Sequence, residues 1–392
     1  EEGLLSTLLD FFQGEGVPPA ARQAMDTLCR EVRARLEPAR KATQAFFRVL
    51  DEFLQQNQEG TVSNQYETNW RITPQVRIQP DWSEVEVAWE DVARELLRIR
   101  DDLVRLYQLC LQLVEKPRDD DFLEAMVEGP RQGRLAAEAQ DLLLEVSLAG
   151  QRTGEILDQV TAIISQGKSN GIYWVSMEPQ TRNIGLHAAP LHVGGLLHQG
   201  LYRQKEALVL TSATLSTDGS VAFLRERLGL PEADELLLDS PFDYARAALL
   251  LIPEDMPDPR DPQYARMLAR ILVETCQASE GRMLVLFTSH SALRQTYAAI
   301  RRPLERQDIA VLGQGIDGSR HILLDKFRRN SRSVLLGTSS FWEGIDVVGE
   351  ALSVLVIAKL PFTVPSDPVF AARCELFEDA FYQYAVPQAV LR

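Results

Sequence analysis

Apolar residues follow a four-three rhythm through the first half of the chain and fall in short continuous runs through the second. From Val85 the sequence places Val85, Trp89, Val92, Leu96, Ile99, Leu103, Leu106, Cys110 and Leu113 alternately four and three apart. That is one narrow stripe down a long helix. Ser83 with Glu86 predicts a capping box at its start, and Pro117 stands beyond its end. Leu135, Ala139, Leu142, Val146, Ala149, Ile156, Val160 and Ile163 carry a similar rhythm, so the two stripes predict an antiparallel helical hairpin. An earlier helix holds Met25, Leu28 and Val32, then Phe46, Val49 and Phe53, with an interruption expected at Pro38. Residues 58–82 leave the helical pattern for short β-like pieces. These stripes read as core seams, not as a cofactor site.

After about residue 170 the period changes. Residues 172–175, 207–210 (ALVL), 248–252, 283–287 (MLVLF), 334–336 and 352–357 (LSVLVI) are apolar runs of strand length. Helical patterns at 262–277, 291–302 and 319–329 lie between several of them. Buried strands alternating with helices predict a parallel α/β sheet, in which function sits in the loops after strand carboxyl ends. Those loops are 211–216, 288–291 and 337–346, all polar and rich in small residues.

A length of 392 residues suits two or three domains, and 45% hydrophobic with 25% charged residues is ordinary globular usage. No apolar run reaches the length of a membrane span, and the first residues lack the basic start of a signal peptide. Cys29, Cys110, Cys276 and Cys374 are scattered without a CxxC pair. They predict neither a disulfide framework nor a zinc site and suit a reducing cytoplasm. The net charge is −15, which excludes non-specific coating of nucleic acid but allows one focused groove. Residues 1–200 carry −11 of it. Residues 301–332 hold eight basic side chains against four acidic ones, which reads either as a solvated helix face or as the wall of a phosphate path.

Residues 162–169 (AIISQGKS) come close to a phosphate-binding P-loop, with Ala162 where its first glycine belongs. A working P-loop follows a strand and opens a helix, and here the expected order is reversed. Residues 167–171 therefore read as a helix end and linker. His187, His192 and His198 are five and six apart, a spacing that matches no helical face and predicts no metal site. Thr211, Ser212, Ala213 and Thr214 put hydroxyls at a strand end, where the plainer reading is a helix cap. In the decapeptide 337–346, backbone amides and hydroxyls beside glycines can hold phosphate oxygens, and Trp342 is either a stacking ring or core.

The stretches LVLTSATLS (208–216), SPFDY (240–244), VLFTSH (285–290), LLGTSSFWEGIDVVGEAL (335–352) and KLPFTVPSDPV (359–369) together resemble the DinG/XPD branch of the superfamily 2 DNA helicases. The resemblance covers about residues 187–392. It implies an α/β fold of recA-like lobes with parallel sheets and an inserted α-helical arch. The arch falls at 1–168, the end of lobe one at 169–244 and lobe two at 245–392. It implies an ATP- and Mg2+-dependent motor that moves on single-stranded DNA, 5′ to 3′, and unwinds duplex in repair or replication. Carried over by motif, Thr211, Ser212, Ala213 and Thr214 couple nucleotide state to strand grip. Thr288, Ser289, Thr338, Ser340 and Trp342 contact the strand, and Glu343, Gly344 and Asp346 face the nucleotide cleft.

The family's P-loop and acidic motif, expected before the arch, are not in these residues, and its Gln- and Arg-rich last motif is expected just past Arg392. The chain is thus expected to be a fragment without ATPase activity of its own. The four cysteines do not match the iron–sulfur ligand set of some members, so the cluster stays undetermined. Two rivals remain: an ATPase-less module that clamps single-stranded nucleic acid or recruits a partner through the arch, and a nuclease-linked relative whose chemistry lies in a fused domain.

Overall fold

The computed structural model describes residues 2–13, 19–57, 68–115, 130–178, 180–347 and 349–391. The chain divides into two compact units, one of residues 1–192 with 365–373, the other of residues 193–364 with 374–392.

The first unit is built on long helices: α1 (Glu2–Phe12), α2 (Pro19–Gln56), α4 (Pro80–Glu115) and α5 (Pro130–Ile164), with the single turn α3 (Pro74–Arg77) before α4. The paired stripes are antiparallel, as expected: Trp89 Nε1 donates to Thr161 Oγ1 at 3.0 Å, while a Cβ placed on Gly150 would lie 3.8 Å from Leu103 Cβ. The seam drifts on α5, however. Ile156, expected inside, is 51% exposed, whereas Leu157 is buried. Gly150 and Gly154 face α4, and a 3.6-residue helix departs from a seven-residue repeat over such a length.

Two further expectations are corrected. Helix α2 runs unbroken through Pro38. Its buried residues from Met25 to Leu54 lie along one continuous helix, and their packing outweighs the one backbone bond that proline forfeits. Helix α4 begins at Pro80, three residues before the anticipated cap at Ser83, because a proline in the first turn loses no hydrogen bond and presets the helical angle. Pro117 and residues 58–67 lie outside the described residues, as do the side chains of Leu113, Leu135 and Ala139.

Strands β1 (Thr68–Arg71), β2 (Gly171–Met177) and β3 (Ile184–Pro190) form a small sheet that is antiparallel throughout. Tyr173 and Val175 of β2 pack under Phe53, Trp82 and Ile164 of the helices. In the same unit, Arg373 donates to the carbonyls of Pro190 and Leu191 at 3.2 Å each.

The second unit contains the predicted parallel sheet. β4 (Met283–Leu286), β5 (Ala310–Gly313), β6 (Ser333–Gly337) and β7 (Val354–Ile357) stand in the order β5-β6-β4-β7, all parallel. After the short helices α6 (Gly194–Gly200) and α7 (Ala222–Leu228), helices α8 (Tyr264–Ala278) and α9 (His290–Glu305) join one core with Met283, Val285, Val311, Val334 and Leu336. Helix α10 (Arg320–Arg329) joins the other with Leu284, Leu286, Leu312 and Leu335. Two expected strands are absent: residues 207–210 and 248–252 join no strand ladder. Val209 is 84% exposed and Leu249 82%. A strand exists through its ladder, and no described strand pairs with either run.

Candidate nucleic-acid interface

The near-P-loop is occupied by the wrong end of a helix. Strand β2 follows α5 through a turn, and the last α5 carbonyls receive Arg77: Ile164 at 2.6 Å, Ile163 at 2.7 Å and Ala162 at 3.4 Å. Trp82 Nε1 adds a bond to Ile164 at 3.2 Å, and the Lys168 amide is spent on the Tyr173 hydroxyl at 3.0 Å. Burial draws the Arg77 guanidinium below its ordinary range, with Tyr173 and Glu86 opposing. Helix carbonyls repel anions, so this turn does not fit the phosphates of a nucleotide. Nearby, His187 stacks on Trp174 at 5.0 Å and meets Ser176 Oγ at 2.7 Å.

The second unit presents the opposite polarity. After β4 the chain leaves toward the α8 and α9 face. After β6 it leaves toward the α10 face, where Phe341, Trp342, Ile345, Val347 and Leu352 pack. β4 and β6 are neighbours, so the crevice between their carboxyl ends is a topological switch point, the usual ligand position in an open α/β sheet. Thr288, Ser289 and His290 open one side of it, and residues 337–346 the other.

Thr288 and Ser289 are exposed, and Ser289 caps α9 by accepting from the Ala292 amide at 3.3 Å. Thr338 is only 3% exposed. Its N–H donates to Gln314 Oε1 at 2.7 Å and its hydroxyl to the same oxygen at 3.0 Å, while His290 Nε2 lies 3.3 Å from that hydroxyl. Ser340, exposed, receives Gln314 Nε2 at 3.0 Å. Trp342 is half-buried with its indole N–H on the Phe287 carbonyl at 3.2 Å, so the fold turns much of this ring toward the lobe. Glu343, Gly344 and Asp346 are exposed, and their carbonyls are gripped from behind. Arg320 reaches Glu343 at 3.1 Å and Gly344 at 2.7 Å, and Arg328 reaches Asp346. Gly344 adopts φ +64°, which glycine tolerates without strain.

All eight basic side chains of the run are exposed, yet several bond within the lobe: Arg301 pairs with Glu305, Lys326 reaches the Asp317 carbonyl and Arg332 that of Gln307. At 211–214, the Thr214 amide donates to Ser212 Oγ at 3.2 Å and its hydroxyl to the Leu391 carbonyl at 3.3 Å. Among the described residues no hydrogen bond joins this stretch to residues 337–346. Sequence reasoning missed Gln314, His290 and Asp317. The one available signal was that Gln314 and Asp317 follow an apolar run, 309–312, too short to be counted as a strand.

Residues 272–392 match the family described as the helicase C-terminal domain. The chain is 38% identical over 223 residues to the ATP-dependent DNA helicase YoaA of Haemophilus influenzae, covering 56% of this chain and 34% of that protein. It is 33% identical over 286 residues to the ATP-dependent DNA helicase DinG of Photobacterium profundum, 69% of this chain and 40% of that one. The protein named 3'-5' exonuclease DinG of Bacillus subtilis is 34% identical over 230 residues, 56% of this chain and 25% of its own length. The matches thus span a quarter to two fifths of these relatives. In sequence the chain is DinG-like, and its parallel four-stranded sheet is consistent with a recA-like helicase C-terminal lobe.

Proposed function

We propose, from a DinG-like sequence and an open switch point, that this chain is part of an ATP-dependent DNA helicase and that residues 287–290 and 337–346 grip a single DNA strand. The observation that carries the reading is the crevice between β4 and β6. Its rim holds exposed hydroxyls of Thr288, Ser289 and Ser340, and a guanidinium pair braces its loop from behind. Hydroxyls and amides at a strand end suit phosphodiester oxygens, which carry position but no sequence. The parent motor would run 5′ to 3′ and separate duplex during repair, in the cytoplasm. Residues 211–214 would couple nucleotide state to grip, with Glu343, Gly344 and Asp346 toward the nucleotide. Residues 1–168 would form the arch, 169–244 the end of lobe one and 245–392 lobe two.

We further propose that the phosphates of Mg2+-bound ATP are held outside residues 1–392, since the turn at 165–171 does not fit them. The chain alone then turns over no ATP.

The test is fluorescence anisotropy of a labelled oligothymidylate titrated with the chain at low and physiological salt, with a blunt duplex beside it. The expected result is binding of the single strand that weakens as salt rises and exceeds that of the duplex. No binding of the single strand at low salt would sink the reading. Binding that ignores salt would point away from phosphates and toward a partner-recruiting module.

A further inference from the structure

Gln314 stands at the carboxyl end of β5, outside every stretch that resembles a helicase motif, yet it ties two loops together. It is fixed from behind by Asp317, whose carboxylate accepts the Gly313 amide at 2.8 Å and the Tyr297 hydroxyl at 3.0 Å. These bonds fold residues 313–317 back over the strand end. In front, Oε1 receives both the amide and the hydroxyl of Thr338, and Nε2 donates to Ser340 Oγ.

The orientation of this amide is forced. A backbone N–H can only donate, so Oε1 must face Thr338 and the NH2 group must face Ser340. Two consequences follow. The Thr338 hydroxyl is committed to Gln314 on a residue 3% exposed, so Thr338 is a strut and not a strand contact. The Ser340 oxygen is already an acceptor, so its own proton is free to donate outward from an exposed position.

Resting on the reading that a single strand crosses this loop, we propose that Gln314 is a positioning residue that sets Ser340 as a hydrogen-bond donor to a phosphodiester oxygen of that strand. Gln314→Glu discriminates this role from plain scaffolding. The introduced carboxylate still accepts from the Thr338 amide and hydroxyl, so the tie between β5 and β6 persists. Toward Ser340 it becomes an acceptor: it captures the serine proton and adds negative charge beside a phosphate. Lowering the pH protonates it, and its O–H donates to Ser340 again.

The experiment measures oligothymidylate affinity of the unmodified chain, Gln314→Glu, Ser340→Ala and the double variant across pH, with melting by circular dichroism alongside. His290, Asp317 and Tyr297 about the network, with Arg320, Glu343 and Asp346 on or against the Ser340 loop, are present in all four, so the unmodified chain's profile subtracts them. Gln314→Glu is expected to bind about tenfold more weakly at neutral pH. Its affinity should return toward that of the unmodified chain as pH falls through the carboxyl range. Ser340→Ala should show a similar loss with no recovery, and the double variant should neither add to the loss nor recover.

Strand binding by the unmodified chain with Gln314→Glu within about twofold of it would overturn the proposal alone. So would a loss that is the same at every pH. If the unmodified chain does not bind, the interface falls and this role falls with it. Should Gln314→Glu fail to fold, Ser340→Ala binding as tightly as the unmodified chain overturns the proposal by itself.

Discussion

Two small-residue turns meet arginine in opposite ways. At the end of α5, the Arg77 guanidinium enters the turn itself and fills the negative pole of the helix, with Trp82 beside it. At the end of β6, Arg320 and Arg328 stay behind the loop and hold the carbonyls of Glu343, Gly344 and Asp346. The hydroxyls of Ser339 and Ser340 are left on the exposed side. Both turns contain glycine, serine and nearby cations, and composition does not separate them. What separates them is which backbone group each exposes. A helix end offers carbonyls, whereas a strand end at a switch point offers amides and hydroxyls toward a crevice. The first turn is a structural closure and the second is an open rim.

The largest test of this contrast is Arg77→Ala. It strands the carbonyls of Ala162 and Ile163 and leaves that of Ile164 to Trp82 alone, and loss of hydrogen bonds to a charged group should cost the first unit about 2–3 kcal/mol. Denaturant unfolding followed by circular dichroism reads this, and oligonucleotide affinity should not move. Next is Gly337→Ala, which would place a methyl 2.5 Å from Phe341 Cβ and Cγ. Overpacking of that kind costs about 2 kcal/mol, and because Phe341 lies within the rim, strand binding should weaken along with stability. Strand binding unchanged by Gly337→Ala would break the claim that the β6 loop is the open rim.

The thiols compare the two cores. Burial pushes Cys29 up to about 11, with Arg33 opposing and Asp26 reinforcing, and Cys110 up to about 12. Burial also pushes Cys276 up to about 11 in the second unit. A pKa raised on folding means the folded thiol holds its proton longer. The stability it lends is intact below the ordinary thiol value of 9.0 and drains away as pH climbs toward 11 or 12. Iodoacetamide at mildly alkaline pH should therefore modify Cys374, the one cysteine that is not buried, and reach the others only in denaturant. Modification of Cys29 or Cys110 in the native protein would show that the helical unit opens more readily than its packing indicates.

The smallest expected effect is Lys168→Ala. The resemblance of its turn to a P-loop makes this lysine conspicuous, but its amide and not its ammonium does the structural work. Stability should change by under about 0.5 kcal/mol, and strand affinity should stay as it was.

Much of the architecture could be read along the chain because its causes are local. A four-three stripe writes a helix, and the runs MLVLF and LSVLVI write strands of the parallel sheet, although only the first is buried and the second leaves Leu355 and Ile357 exposed. Where local cues failed, a tertiary partner decided. Pro38 broke nothing because packing carried α2 past it. Residues 207–210 and 248–252 made no strand because a ladder needs a neighbour. Of the site, residues 288–289 and 337–346 were legible from their place after apolar runs, while Trp342 was ambiguous until Phe287 supplied its carbonyl.

What the sequence determined by itself was the two regimes of periodicity, the loops that carry polar small residues, and the likeness to helicases. What only the tertiary structure decided was which loops meet. Gln314 and Thr338 lie 24 residues apart, and nothing in either stretch announces the other. They touch because the chain passes from β4 over to β5 and returns to lay β6 between the two. That return places the ends of β5 and β6 side by side, within reach of one amide side chain.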